Sequence, residues 1–319
     1  MSVTLLGGGV GSSRLAVPLA GALDEHALSI VANTGDDLWR YGLRICPDLD
    51  TNLYALSGLR DTERGWGVAG DSFRTMEQLR VLGDDAWFNL GDLDLATHLL
   101  RTGMLRDGFA LSEVMAHLAE ALRLGVELLP CTDDEVQTRV DTPDGEFSFQ
   151  EYFVQRGATD PVNTVHYLGA ESSRPAPGVL GAIEGAELVV LGPSNTITSL
   201  GPILAVPGIR QVLRSRRSAD RPTVAVSPVV NGVPITAPGE AHRARCRDAM
   251  LASQGFPHRA AAVGELLADI AGTFVLDRTD HDEAPELRAL GFEVIETDTI
   301  IADEHRGAAL ASVVLGCCR

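Results

Sequence analysis

The chain lacks any excess of positive charge, any paired cysteine spacing and any long apolar run, and each shortage closes off a class of function. Lysine and arginine together number 26 against 44 acidic residues, a formal charge of −18. No basic face survives that balance, which argues against a general nucleic-acid binder. An anionic small molecule is still admissible, because local arginines and a metal can outweigh the global sign. Five cysteines (Cys46, Cys131, Cys246, Cys317 and Cys318) are odd in number and scattered, without metal-ligand spacing. They read as reduced thiols of a cytosolic protein. No run approaches the length of a membrane span, and residues 1–6 show neither a charged leader nor an apolar signal core. The expectation is a soluble, cytoplasmic protein without a membrane partner. What is present is 319 residues, 45% of them hydrophobic, enough for a large core in one large domain or two modest ones.

Residues 3–6 form a short apolar run, broken by Gly7-Gly8-Gly9-Val10-Gly11, and 12–23 has helical spacing. A second apolar run at 28–32 completes a βαβ opening, which lays strands parallel. Near residue 70 the texture changes, and 71–82, 96–106 and 111–124 predict helices, with about 60–125 reading as a helical insertion. Short strands are expected at 127–130, 136–140 and 146–149, the last two joined by the turn Thr142-Pro143-Asp144-Gly145. The doubly wound pattern then resumes with buried strands at 188–191 and 223–226, a helix at 209–217, further strands at 273–277 and 293–296, and a helix near 308–314. The basic stretch 214–221 reads as a solvated helix end and loop. The fold expected is α/β, a Rossmann-like doubly wound parallel sheet. Residues 1–60 and 165–319 would form its nucleotide-binding core, and 60–165 an inserted, mainly helical part with a short hairpin.

Three clusters carry chemistry. The strand–glycine–helix junction brings backbone N–H groups and a helix N-terminus to a phosphate, which makes Gly8, Gly9 and Gly11 binding candidates, with Arg14 adding charge. The G-x-G-x-x-G fingerprint is incomplete, since Ser12 stands where the third glycine belongs. Next, Asn33-Thr34-Gly35-Asp36-Asp37 and Pro47-Asp48-Leu49-Asp50-Thr51 place four carboxylates within about fifteen residues. One acid after strand two can hold a ribose. The surplus suits a hard cation shared with substrate phosphates. Alternation in an extended segment would put Asp48 and Asp50 on one side, while the competing reading is a turn or helix cap, with Asp50 opening a helix at Asn52. Asn89-Leu90-Gly91-Asp92-Leu93-Asp94-Leu95-Ala96-Thr97-His98 adds two acids and a histidine at a helix entry. Cys131-Thr132-Asp133-Asp134 is either a solvated turn or a lining one. Finally, Gly192-Pro193-Ser194-Asn195 and Ser227-Pro228 follow buried strands, where ligands bind in open α/β sheets.

In order and over most of the chain, these runs, together with Trp66-Gly67, Leu129-Pro130 and Phe149-Gln150-Glu151-Tyr152, resemble the 2-phospho-L-lactate transferase (CofD-like) family of coenzyme F-420 biosynthesis. The resemblance implies transfer of a phospholactyl-type unit from its GDP-activated form to the primary alcohol of the deazaflavin Fo. GMP leaves, and Mg2+ is required. It implies small-molecule substrates, a homodimer, and deazaflavin contacts at Asp50 and Asn89, with Asp92 and His98 beside them. Asp48 and Asp50 would be the catalytic acids, and Asp48, Asp50, Asp36 and Asp37 the metal group. Gly8, Gly9, Gly11, Arg14, Ser194, Asn195 and Ser227 would bind the nucleotide. The chain departs from the family pattern in its first loop, at Leu93, where a basic residue is common, and at Thr196, where proline usually follows. Leu93 leaves the donor acid open among phospholactate, phosphoenolpyruvate and phosphoglycerate. Two alternatives compete: a non-catalytic nucleotide-sugar-binding regulator of the same fold, and a nicotinamide-dependent oxidoreductase.

Overall fold

In the computed structural model, which describes residues 1–231 and 240–318, the strands are β1 (Val3–Gly7), β2 (Leu28–Ala32), β3 (Leu38–Arg40), β4 (Leu43–Ile45), β5 (Glu127–Pro130), β6 (Gln137–Thr142), β7 (Gly145–Ser148), β8 (Thr164–Leu168), β9 (Leu188–Leu191), β10 (Thr223–Val226), β11 (Thr273–Asp277) and β12 (Glu293–Thr297). Seven of them make one parallel sheet in the order β12-β11-β10-β9-β1-β2-β5. From β1 the chain steps one way to β2 and later returns on the other side at β9, in parallel register with Val3 opposite both Leu28 and Leu188. That reversal opens a crevice above the C-terminal end of β1, where this class of sheet binds ligands.

The central strands are apolar on both faces because helices cover both. Leu6, Val31, Val189, Leu191 and Phe274 pack on one side with Val179, Ile183, Ile209 and Leu213. Leu5, Ile30, Val190 and Val275 pack on the other with Leu15, Leu19, Leu53, Leu310 and Val314. Successive residues of one strand thus feed opposite layers. Each fully buried leucine or isoleucine contributes about 1.5–3 kcal/mol.

The helices that shape the site are α1 (Gly9–Ala22), α2 (Pro47–Leu56), α3 (Arg74–Val81), α4 (Asp92–Arg106) and α5 (Leu111–Ala121). The expected core strands fall where their apolar runs lie. Three expectations need correction. The stretch 60–165 is not wholly an insertion: β5 returns from it and pairs with β2 as the edge of the main sheet. The 38–45 segment forms a small hairpin that the sequence pattern did not announce, its strands being only three residues each. The basic stretch 214–221 is not simply solvated. Arg216 is buried, and its guanidinium donates to the carbonyls of Ile183, Ala186 and Pro222, satisfying backbone acceptors at a helix end.

Candidate active site

Above the C-terminal ends of β1, β2, β9 and β10 lies a cavity of about 990 Å³. Gly8, Gly9, Gly11, Arg14, Asp36, Asp48, Asp50, Asn89, His98, Ser194, Asn195 and Ser227 all line it. The segments at 8–14, 36, 194–195 and 227 converge there because each follows a strand of the same sheet, whereas Asp48 and Asp50 come from a helix after the 38–45 hairpin and Asn89 and His98 from around the start of α4. Asp37 and Asp92 stand outside the lining.

The glycine loop is tight for identifiable reasons. A Cβ on Gly8 would collide with the Asp48 carboxylate, and one on Gly11 with the Pro193 carbonyl. Ser194 clamps the loop to the β9 turn: its hydroxyl accepts from the Gly8 amide at 3.0 Å and donates to the Gly8 carbonyl at 2.8 Å. The Gly8 N–H is therefore already engaged. Asn195 spends its side-chain oxygen capping the next turn, accepting from the Ile197 amide at 3.0 Å, and the Ser227 hydroxyl donates to the Val229 carbonyl at 2.8 Å. These three residues shape the wall more than they reach out from it.

The acids divide differently from the expected pairs. Asp48 and Asp50 do not lie on one side of an extended segment; both sit in the first turn of α2. Pro47 has the φ a helix start needs and lacks the N–H that would go unpaired there, while acids in a first turn suit the helix dipole. At 100° per residue, two positions apart means nearly opposite faces. Asp48 turns to the glycine loop, where the Asn33 amide donates to it at 3.0 Å. Asp50 turns to α4, where Arg101 donates Nη1 to its Oδ2 at 3.1 Å and Nη2 to its Oδ1. Asp37 is likewise held, its Oδ2 accepting from Arg44 at 3.0 Å, and it points away from the cavity.

Asp36 and Asp48 are the acids without such a partner; among the described residues neither is in an ion pair with an arginine. Burial pushes Asp36 well above the ordinary carboxylate range, and the Asp48 charge pushes it further, against hydrogen bonding from Asn33. Asp48 is pushed up to about 7, again mainly by burial. Burial also raises Asp37, to about 6, with Arg44 pulling it down. A divalent cation fits the Asp36–Asp48 pair: both are buried oxygen donors lining the cavity, Asp48 against the glycine loop, and the Asp36 Oδ1 has no hydrogen-bond partner. Asp50 and Asp37, already neutralised by guanidinium groups, do not fit that role.

Beside α4 a buried chain runs from Tyr54 through Asp94 and His98 to Arg101 and Asp50. The Tyr54 hydroxyl donates to Asp94 at 2.6 Å, His98 Nε2 lies 3.2 Å from Asp94, and Arg101 Nη1 lies 3.2 Å from His98 Nδ1. A guanidinium only donates, so Nδ1 accepts and the ring proton sits on Nε2. Burial would raise Asp94, but the neighbouring His98 and Tyr54 outweigh it and lower its pKa. Asn89 lines the cavity beside Phe88, with its oxygen accepting from Arg80 at 3.2 Å.

Asp92 is a correction. Its carboxylate is exposed and accepts from the Ser72 hydroxyl and from the Arg74 and Thr75 amides, so it closes the N-terminal turn of α3. Those bonds, Ser72 first, hold it down to about 2. Asp133 and Asp134 are also tied to structure, accepting from Ser112 and from the Arg174 amide, so the lining role is lost there.

Arg101, Tyr54 and Asn33 are the residues that motif reasoning missed. Positions 94, 98 and 101 stand at helical spacing on one face of α4, a signal that was available. Missed as well is a group of basic residues, Arg243 and Arg247 with His242 and His258, which lines the cavity together with Phe149 and Phe153.

Residues 3–300 match the family model described as 2-phospho-L-lactate transferase CofD. The chain is 40% identical to a Streptomyces coelicolor protein named phosphoenolpyruvate transferase, over 99% of this chain and 97% of that one. It is 38% identical to a protein of the same name from Mycolicibacterium smegmatis, covering 97% and 96%. It is 34% identical to a 2-phospho-L-lactate transferase from Methanococcoides burtonii, covering 93% of each. Among solved structures, a Bacillus halodurans protein of the UPF0052 family superposes with a TM-score of 0.64 over 98% of both chains, at 17% identity, a likeness of fold. The oxidoreductase and regulator alternatives are set aside by these matches. With the glycine loop, the segregated acids and the relatives in agreement over nearly its whole length, the chain belongs to the 2-phospho-L-lactate transferase (CofD) family and is a transferase of that type.

Proposed function

We propose that the enzyme transfers a phosphoacid unit from its GDP-activated form to the ribityl alcohol of Fo and releases GMP. Phosphoenolpyruvate is the acid unit best supported, because relatives bearing that name are 36–40% identical where those named for 2-phospholactate are 33–34%. The observation that carries the reading is the junction of phosphate loop and acids. Two buried carboxylates without a guanidinium partner among the described residues, Asp48 against the glycine loop and Asp36, line the cavity that Asp50 and Asn89 also line.

The acceptor oxygen forms a bond to the phosphorus that carries the acid. The bond from that phosphorus to the oxygen bridging to GMP breaks, and the bridging electron pair leaves with GMP. The hydroxyl proton passes to a carboxylate of the cavity, for which Asp50 is placed. Catalysis of this kind rests on positioning and charge neutralisation. Mg2+ held by Asp36 and Asp48 would neutralise diphosphate charge. Asn33 orients Asp48, the α1 N-terminus faces the phosphates, and the basic group of the lining offers counter-charge to the donor.

The test is incubation of the protein with Fo, Mg2+ and each guanylylated acid in turn, reading GMP and a new deazaflavin phosphodiester. Product with the phosphoenolpyruvate-derived donor ahead of the others is expected. Absence of product from every donor overturns the reading. A homodimer and a cytoplasmic location belong to the same proposal, and a monomer by light scattering would remove the first.

A further inference from the structure

Arg101 is the largest fully buried side chain of the molecule's described residues, and it does not line the cavity. The chain contains no lysine, so every permanently charged side chain of positive sign is a guanidinium. Around Arg101 stand Asp50, Asp94 and His98, all buried, whose ligand-type atoms lie within 4.8 Å of one another. Two carboxylates and an imidazole so spaced would suit a transition metal. Here the guanidinium reaches between them, with Nη1 shared by Asp50 and His98 and Nη2 on Asp50.

We infer that Arg101 is a positioning residue: from behind the cavity wall it fixes the plane of the Asp50 carboxylate toward the acceptor hydroxyl, and it does so by filling a gap that a metal ion would otherwise take. This rests on the proposed reaction for its account of what Asp50 touches. A planar fork makes two parallel bonds to one carboxylate, which a point charge on a flexible stem cannot reproduce. A metal bound to Asp50 would occupy the lone pairs that the hydroxyl needs. The fork leaves one lone pair of each oxygen uncommitted. The site therefore holds one fixed cation at the acceptor end and leaves the exchangeable one to Asp36 and Asp48.

The experiment uses the full chain and three variants: Arg101→Lys, Arg101→Ala, and Arg101→Ala combined with His98→Ala. Arg101→Lys is expected to lower kcat about ten- to a hundredfold and raise the acceptor KM, with the donor KM unchanged. A residue that served stability alone would lower the melting temperature without that split. In equilibrium dialysis against Co2+ without substrates, Arg101→Ala is expected to take up one more equivalent than the wild type, and the double variant to lose it. Wild-type kinetics in Arg101→Lys, or no added cobalt in folded Arg101→Ala, overturns the inference. Should Arg101→Ala not fold, Arg101→Lys decides alone. A wild type that makes no product from any donor sinks the proposed reaction, while the cobalt stoichiometry still judges Arg101.

Discussion

Asp48 and Asp50 stand two residues apart in the first turn of one helix, at 6% and 4% exposure, yet their surroundings are opposite. Asp50 meets a buried guanidinium, whereas Asp48 meets an asparagine amide, a glycine backbone and the charge of other aspartates. Asp36 and Asp37 repeat the contrast one loop earlier, with Arg44 on Asp37 and none on Asp36. Burial alone therefore does not tell an acid with a fixed counter-charge from one without. What distinguishes them is whether the fold supplies the counter-charge or leaves it to a ligand.

The sharpest way to break this contrast is a pair of substitutions. Asp48→Asn and Asp50→Asn should each lower kcat by at least about a hundredfold, measured as GMP release. Their stabilities should move apart. Asp50→Asn strands a buried guanidinium and is expected to cost about 3–5 kcal/mol in chemical denaturation. Asp48→Asn removes a buried charge without a fixed partner and should be no less stable than the wild type in the absence of Mg2+. Equal losses in both variants would erase the distinction.

Next in size is a pH effect. The folded values of Asp36 and Asp48 lie above their ordinary one, so the native state binds more protons than the unfolded chain. The contribution of this pair to stability is present below the usual carboxylate pKa of 3.8 and is lost as pH rises through about 7. Without divalent cations the protein should melt several degrees lower at pH 8 than at pH 6. Added Mg2+ should narrow that gap by stabilising the ionised pair. A melting temperature that is flat in pH and indifferent to Mg2+ contradicts the assignment. The smallest effect expected is from Asp92→Ala, which removes a helix cap outside the cavity. Scanning calorimetry should show a slight loss of melting temperature, with kcat within about twofold of the wild type.

Much of the sheet was legible because buried parallel strands are short continuous apolar runs between turn residues, and 188–191 and 223–226 fall where such runs lie. The β3–β4 hairpin and α2 were not. A three-residue strand has no period to detect, and Asp48-Leu49-Asp50 alternates like a strand while Pro47 makes it a helix start. Part of the cavity lining was legible from strand-end motifs, since the sheet gathers its C-terminal loops in one place. The acid pairing was hidden. The guanidinium that claims Asp50 lies 51 residues away, and no local pattern joins them.

The sequence by itself determined the parallel sheet, the glycine loop at its crevice and the supply of acids beside it. Each of these follows from local preference: apolar runs, backbone tolerance and charge density along the chain. Only the tertiary structure decided which acids receive an arginine. Pairing a buried charge depends on what packs within a few ångströms of it, and helix α4 brings Arg101 to Asp50 while the glycine loop leaves Asp48 facing the cavity.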